Sequence, residues 1–593
     1  MRSLKLSAVY RDSLKLKEVV KMKKKFLTKT AAIALALTTV LSMTACGGSG
    51  GSSGSGSAGS TGSSESGSAE AADPAERDTV TITMGRQTTA NPKFPEGDSY
   101  EDNAYIRMVE QELNVDIVDQ FEANNGDDYN RQVSLALSAG SLPDIMKVAS
   151  KDELTELYEN ELIADLTDVY NNYASDYIKS IYDSFDGRAL ADVTYDGMLM
   201  ALPATASDAG PGMFWIRSDW ADKLGLTVDA DGDRLVTLDE VKEIAQAFID
   251  GNPENVDKMV GMSFDPALTA TSSDNANMIN TIAYSVGAYP RHWYEDESGE
   301  LIYGSTTDEM KQALSIVRDW YQEGIIDEQL GTRTWDDITS LLVNGECGIV
   351  FGSWHVPDWL LNNVYTLNNE AVYEPYVVVN SEGKVNCTHY KATGEYVVVS
   401  AEFEHPEIAI QILNLIYDDM MTSPELLEKY PEVDSYLKEG VDGTARPYNI
   451  EVKSSTYLLS DYKELKAALD GESTKEEISS AEERTNYDAI TAYNEGNGDV
   501  TGWCKLHSRC KGVDMLTYLN DKDLYHWITP VYPQTTSTMK TNWANLQTLE
   551  EESFIKIVTG TEDLDESFNT FVSNWKSQGG DTIASEIKEQ IGE

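Results

Sequence analysis

The chain has 593 residues, with 46 lysines and arginines against 100 aspartates and glutamates, a net charge of −54. A surface this acidic repels nucleic acid and anionic lipid headgroups, which argues against partners held through phosphate contacts. The length exceeds what one hydrophobic core usually serves, so two lobes are expected.

The first 78 residues read as targeting and tether. Met22 followed by three lysines looks like the true start, because Lys17-Glu18-Val19 can be encoded by a ribosome-binding sequence; residues 1–21 are then a mis-called upstream extension. Lys21, Lys23, Lys24, Lys25 and Lys29 form a positive n-region, and Ala31–Leu41 an apolar h-region. That run suits a secretory signal and is shorter than the roughly 20 apolar residues a bilayer span needs. Met43-Thr44-Ala45-Cys46-Gly47 resembles a bacterial lipobox with Met where Leu is usual. It predicts a lipoprotein signal peptide over 22–45, with Cys46 diacylated as the mature N-terminus. Residues 46–78 read as a Gly/Ser-rich flexible tether. The mature chain keeps 36 basic and 98 acidic residues, a net charge of −62.

The body opens with strand–helix alternation. Val80, Ile82 and Met84 alternate as a strand; Ile106, Val109 and Leu113 mark the apolar face of a helix. Val115–Val118 is a second strand, Tyr129, Val133 and Leu137 a second helix, and Asp144–Val148 a third strand after Pro143. This is the βαβ pattern of a parallel sheet covered by helices. Thr306-Thr307-Asp308-Glu309 has capping-box spacing before a helix carrying Met310, Leu314, Val317 and Tyr321, with Gly324 at its stop. Gly348–Gly352 and Tyr396–Val399 read as strands, and Pro406 opens a helix with Ala409, Ile412, Leu413 and Ile416.

Four cysteines lie in the body: Cys347, Cys387, Cys504 and Cys510. Cys504 and Cys510 suit either a disulfide or free thiols, neither pair has zinc spacing, and the six histidines form no HExxH. No nucleophile elbow or phosphate loop appears, and no organic cofactor is implied.

Several phrases carry a family resemblance: Ser138-Ala139-Gly140-Ser141-Leu142-Pro143-Asp144-Ile145, Tyr195-Asp196-Gly197-Met198-Leu199-Met200-Ala201-Leu202-Pro203, Ile216 to Gly225, Asn344 to Ile349, and Phe554 to Gly560. In this order they resemble the family 1 extracellular solute-binding proteins, which include maltose- and alginate-binding proteins. The resemblance implies an α/β, two-lobed periplasmic-binding-protein-like fold (type II), with parallel-rich sheets flanked by helices and a hinge between the lobes. The expected boundaries are 79–206 with 390–545 for the first lobe, and 207–389 with 546–593 for the second. The implied function is capture of an oligosaccharide by a monomer, lipid-anchored on the outer face of a Gram-positive cell membrane, for delivery to ABC transporter permease subunits.

A sugar offers apolar C–H faces ringed by hydroxyls, so its site needs flat aromatic rings with polar groups at the rim. Trp354 is the leading candidate, because Gly352-Ser353-Trp354 resembles the Gly-Pro-Trp at which a strand of the maltose-binding members ends, with the tryptophan stacking on sugar. Arg86 and Gln87 follow the first strand, where a loop would face the cleft. Trp215 and Arg217 flank the place of a ligand-contacting aromatic, occupied here by Ile216. His355, Glu395 and Tyr396 neighbour the expected cleft strands.

A separate loop has EF-hand spacing, with Asp229, Asp231, Asp233 and Glu240 at positions 1, 3, 5 and 12 and the Leu235 carbonyl at 7. It predicts a structural Ca2+, as in some alginate-binding relatives, although Arg234 stands where glycine is usual. Alternative readings are a secreted glycan-active enzyme, which needs two carboxylates across a sugar cleft, a binder of peptides or other solutes, and a surface adhesin or co-receptor.

Overall fold

The computed structural model describes residues 78–591 except positions 125, 209, 273, 274 and 297. Cys46, the signal peptide and nearly all of the tether lie outside the described residues.

The first lobe is built on a five-stranded sheet in the order Val115–Asn124, Val80–Thr88, Ile145–Val148, Tyr396–Val399, Leu202–Pro203. The first three strands are parallel and the last two antiparallel to their neighbours. Helices cover this sheet as the apolar spacing predicts. Asn103 caps the helix Ala104–Leu113 by accepting from the Tyr105 and Ile106 N–H groups, and Tyr105, Ile106, Met108 and Val109 are buried. Asp144 ties two strands together, its carboxylate accepting from the Thr83 backbone N–H and hydroxyl at 2.7 and 2.8 Å. A register shift falls between Met84 and Gly85. A side chain at Gly85 would meet the Phe121 ring at 2.5 Å, which explains the glycine.

The second lobe carries a four-stranded sheet in the order Ile349–Gly352, Met213–Arg217, Tyr373–Val378, Leu235–Val236. The strand Met213–Arg217 is buried at every turn of the pleat, since both faces are covered. Phe214 and Ile216 point into one core with Phe351, Phe554, Phe571 and Trp575. Met213 and Trp215 point into the other with Val350, Tyr373, Trp503 and Leu516. The helices Met539–Val558, Leu564–Trp575 and Asp581–Ile591 therefore close the first face, and Tyr457–Leu469, Val500–His507 and Asp514–Asp521 the second.

That packing corrects one expected boundary. The sequence assigns residues 390–545 to the first lobe, yet Leu458, Tyr462, Trp503, Val513 and Leu519 share a core with Trp215 and Val350. Only the stretch through Ile450 and Val452 packs with the first sheet. Three segments cross between the lobes: from Pro203 to Met213, from Thr388 to Tyr396, and from Val452 to Leu458. Beside them a short parallel pair, Val385–Thr388 with Tyr525–Ile528, braces the second lobe.

One smaller expectation also shifts, and one open alternative is decided. The helix Asp308–Gln322 is capped by Thr307, whose side chain accepts from the Met310 N–H, one residue beyond the expected box. Cys347, Cys387, Cys504 and Cys510 are all free thiols.

Candidate functional site

A cavity of about 550 Å3 opens between the first lobe, the crossing segment at 390–392 and the stretch 529–534. This volume falls within the range of about 300–1,000 Å3 found for small-molecule sites. It sits at the carboxyl end of the strand Ile145–Val148, where ligands of open α/β sheets bind.

Local structure fixes its lining. Ser150 caps the helix Lys151–Glu159 by accepting from the Glu153 N–H, while the Glu153 carboxylate accepts from the Ala149 N–H and the Ser150 hydroxyl. This reciprocal cap holds Lys151 at the first turn, at the mouth of the cavity. The helix Arg188–Ala191 and the hairpin Thr194–Tyr195 with Met198–Leu199 supply Arg188, Asp192 and Tyr195. The crossing segment supplies Tyr390 and Lys391.

Asp192 is the electrostatic centre. Lys151 Nζ lies 3.4 Å and Lys391 Nζ 3.8 Å from its carboxylate. The Tyr396 hydroxyl donates to it at 2.7 Å and the Thr393 hydroxyl donates as well. Burial pushes the Asp192 carboxyl upward, but the two lysines and the two hydroxyls outweigh it and hold the group below its usual value. Burial dominates for Lys151, which is lowered despite Asp192; its ammonium also lies 4.6 Å over the Tyr195 ring. Arg188 reaches across to the crossing segments, donating to the Tyr390 carbonyl at 3.3 Å and lying 3.5 Å from Asp208. Asp208 accepts from the Tyr390 N–H at 2.5 Å and lies 2.7 Å from His389 Nδ1. His389 stacks on Trp527 at 4.4 Å over a smaller cavity of about 150 Å3, which Arg188 also lines.

The residues expected from sequence scatter around this site. Tyr396 is fully buried one layer behind it, bonded to Asp192 and accepting from Lys391 Nζ at 2.8 Å. Glu395 points to Lys147 Nζ at 2.6 Å. Gln87 and Lys147 line a cavity of about 20 Å3 with Arg86 and Arg446.

Three candidates are buried and do not line the large cavity. Arg86 is 2% exposed, its Nε 2.5 Å from Asp119 and its Nη1 donating to the Arg446 carbonyl. Trp215 is wholly buried with its indole N–H on the Ser353 carbonyl at 3.2 Å. Arg217 is 2% exposed, held by Asp219 at 2.6 and 2.7 Å and by Glu254 at 3.2 Å. Arg217 also lies at the end of its strand away from Met213, whose partner is Gly352.

Trp354 and His355 follow the strand Ile349–Gly352 but do not line the large cavity. They belong to an aromatic row in which Trp354 lies 4.8 Å from His355, His355 6.2 Å from Trp359, and Trp359 5.7 Å from the exposed Trp335. The Arg509 guanidinium covers one face of Trp354 at 4.7 Å.

The acidic loop has the backbone of a helix–loop–helix turn but not a converging donor set. Arg234 takes the left-handed conformation, φ 62°, at the usual glycine position. Asp229 accepts from the Asp231, Gly232 and Arg234 N–H groups, and Asp233 from the Leu235 N–H. Glu240 is engaged with the Thr237 N–H and hydroxyl at 2.8 Å each. Among the described residues no three His, Cys, Asp or Glu side chains gather as a metal site.

Fold and cleft define a two-lobed binding protein, and comparison places it. Residues 104–437, more than half of the chain, match the bacterial extracellular solute-binding proteins, and the chain belongs to that family. It is 23% identical over 300 residues to the fructooligosaccharide ABC transporter substrate-binding protein FusA of Streptococcus pneumoniae, covering 49% of this chain and 52% of that one. It is 24% identical over 227 residues to the lipoprotein LipO of Bacillus subtilis, covering 37% and 41%. The chain thus spans about half the length of the curated relatives it matches. An extracellular solute-binding protein of Bifidobacterium longum subsp. infantis shares the fold with a TM-score of 0.52 at 14% identity, over 86% of this chain and 97% of that one.

Proposed function

We propose that this chain is the substrate-binding lipoprotein of an ABC importer, capturing an extracellular oligosaccharide between its lobes and delivering it to membrane permease subunits. The observation that carries the reading is the cavity at the strand ends, lined from both sides of the crossing segments by tyrosines, amides and paired ions. Closure of lobes around a ligand is the general device by which such folds report occupancy. FusA is named for a fructooligosaccharide and LipO as a lipoprotein, which favours a sugar and a lipid anchor at Cys46. Among the described residues no helix is long and apolar enough to cross a membrane.

Asp192 is not suited to be the acid of a glycan-active enzyme. Glycoside hydrolysis requires a carboxylic acid of raised pKa to protonate the leaving group. Asp192, ringed by four donors, is shifted the other way.

The test is a thermal-shift screen of the full chain against mono- and oligosaccharides, with each glycan weighed afterwards. A ligand at a hundredfold excess over Kd contributes about 2.7 kcal/mol, so a shift of several degrees with an unaltered glycan is expected. A glycan shortened during incubation would establish the enzyme instead.

A second element of the proposal concerns calcium. Asp229, Asp231, Asp233 and Glu240 are hard oxygen donors in EF-hand order, with the Leu235 carbonyl between them, and occupancy requires Glu240 to leave Thr237. With a Kd of about 10⁻⁴ to 10⁻³ M, typical of extracellular modules, 10 mM Ca2+ raises the melting point of the wild type and not of Asp229→Asn. Equal melting curves with Ca2+ and with chelator would refute it.

A further inference from the structure

We infer that the cavity between the lobes selects uncharged sugars and rejects uronate-bearing ones; this rests on the oligosaccharide reading above. A carboxylated sugar entering a partly desolvated site is stabilised only where a cation is left to meet it, since desolvating an ion costs several kcal/mol. Three cations reach the lining, Lys151, Arg188 and Lys391. Each already has a partner. The two lysines share Asp192 at 3.4 and 3.8 Å, and Lys391 also donates to the Tyr396 hydroxyl. Arg188 is taken up by Asp208 and the Tyr390 carbonyl.

Against the three cations the lining sets Asp192 and Asp196, the latter accepting from the Tyr158 hydroxyl at 2.8 Å, and Asp208, which lies outside the lining, pairs with Arg188 and brings the count level. Asp192 accepts from the Thr393 and Tyr396 hydroxyls and pairs with the Lys151 and Lys391 ammonium groups at 3.4 and 3.8 Å, so both lysine charges are already matched against it. A uronate must therefore displace Asp192 or Asp208 from its own cations, and it approaches a chain of net charge −54 to do so. A neutral sugar needs no such exchange. Its hydroxyls find the side chains of Thr529, Gln534 and Gln590 at the rim, and its C–H faces find tyrosine rings.

Calorimetric titration of the full chain tests this with four neutral trisaccharides, maltotriose, cellotriose, mannotriose and kestose, and two acidic ones, trigalacturonate and trimannuronate. At least one neutral sugar is expected to bind, with both uronates weaker by about a hundredfold or more, the scale on which one unmatched charge acts near a protein surface. A uronate within about tenfold of the best neutral sugar overturns the selectivity while leaving the oligosaccharide reading intact. Silence from all six overturns both. Asp192→Asn, which leaves Lys151 and Lys391 without their carboxylate, is expected to raise uronate affinity about tenfold. Asp208→Asn, which frees Arg188, repeats the test from the other side should the first variant fold poorly. Unchanged uronate affinity in a folded variant counts against the inference.

Discussion

Arg86→Met is expected to lower the stability of the chain by about 3–5 kcal/mol, the cost of breaking a buried ion pair from one side. Its partner Asp119 is 7% exposed, and the second oxygen of that carboxylate has no hydrogen-bond partner, so removing the guanidinium strands a buried charge. The Arg446 carbonyl loses a donor at the same time. Ligand affinity should stay within about twofold, since groups that share no partner act independently. A fall in the urea midpoint at constant m-value, with an unchanged Kd, is the predicted result. An unchanged midpoint with a tenfold weaker Kd would return Arg86 to the ligand site.

Lys151→Met should have the largest effect on capture. Lys151 lines the cavity with its side chain 16% exposed, and although its charge is matched by Asp192 its ammonium keeps a donor for a sugar hydroxyl in a partly dry setting. Bonds to charged groups contribute about 1.5–3 kcal/mol, which predicts a loss in affinity of roughly tenfold to more than a hundredfold. The fold should tolerate the change, because Asp192 retains Lys391, Thr393 and Tyr396. Trp354→Ala is expected to do the reverse. It removes the ring under Arg509 and the indole packed against the core of Trp215 and Val350, and so costs stability more than affinity. A Trp354→Ala protein of normal melting point that no longer binds would shift the site to the aromatic row.

The strand–helix order of the first lobe was legible because period-2 and period-3.6 patterns report which face is buried. Ile82 and Met84 alternate into the core, and the helix after them presents Ile106 and Val109 to the same sheet. The same alternation carried a warning about Arg86, which shares the face of Ile82 and Met84. Proximity to the end of a strand selected it, whereas the pleat buries it. Lys151 obeys the same strand-end rule with the opposite result, since the helix that Ser150 caps starts at Lys151 and Lys151 lines the cavity. Trp215 belongs to a strand covered on both faces, where every residue is buried and none can be cleft-facing. The lobe assignment of 457–528 was beyond reach, since helical periodicity gives a buried face without naming the sheet it meets. Asp192 depends on partners distant in sequence, Lys391, Thr393 and Tyr396, which no local pattern joins.

Hydrogen–deuterium exchange of the full chain, with and without a saturating neutral glycan, tests the central claim most directly. Capture between the lobes predicts slowed exchange in four separate stretches, 148–152, 188–196, 389–392 and 529–534, as the lobes close on the ligand. Protection confined to 335–359, with those four stretches unchanged, would contradict the site and place the sugar on the aromatic row instead.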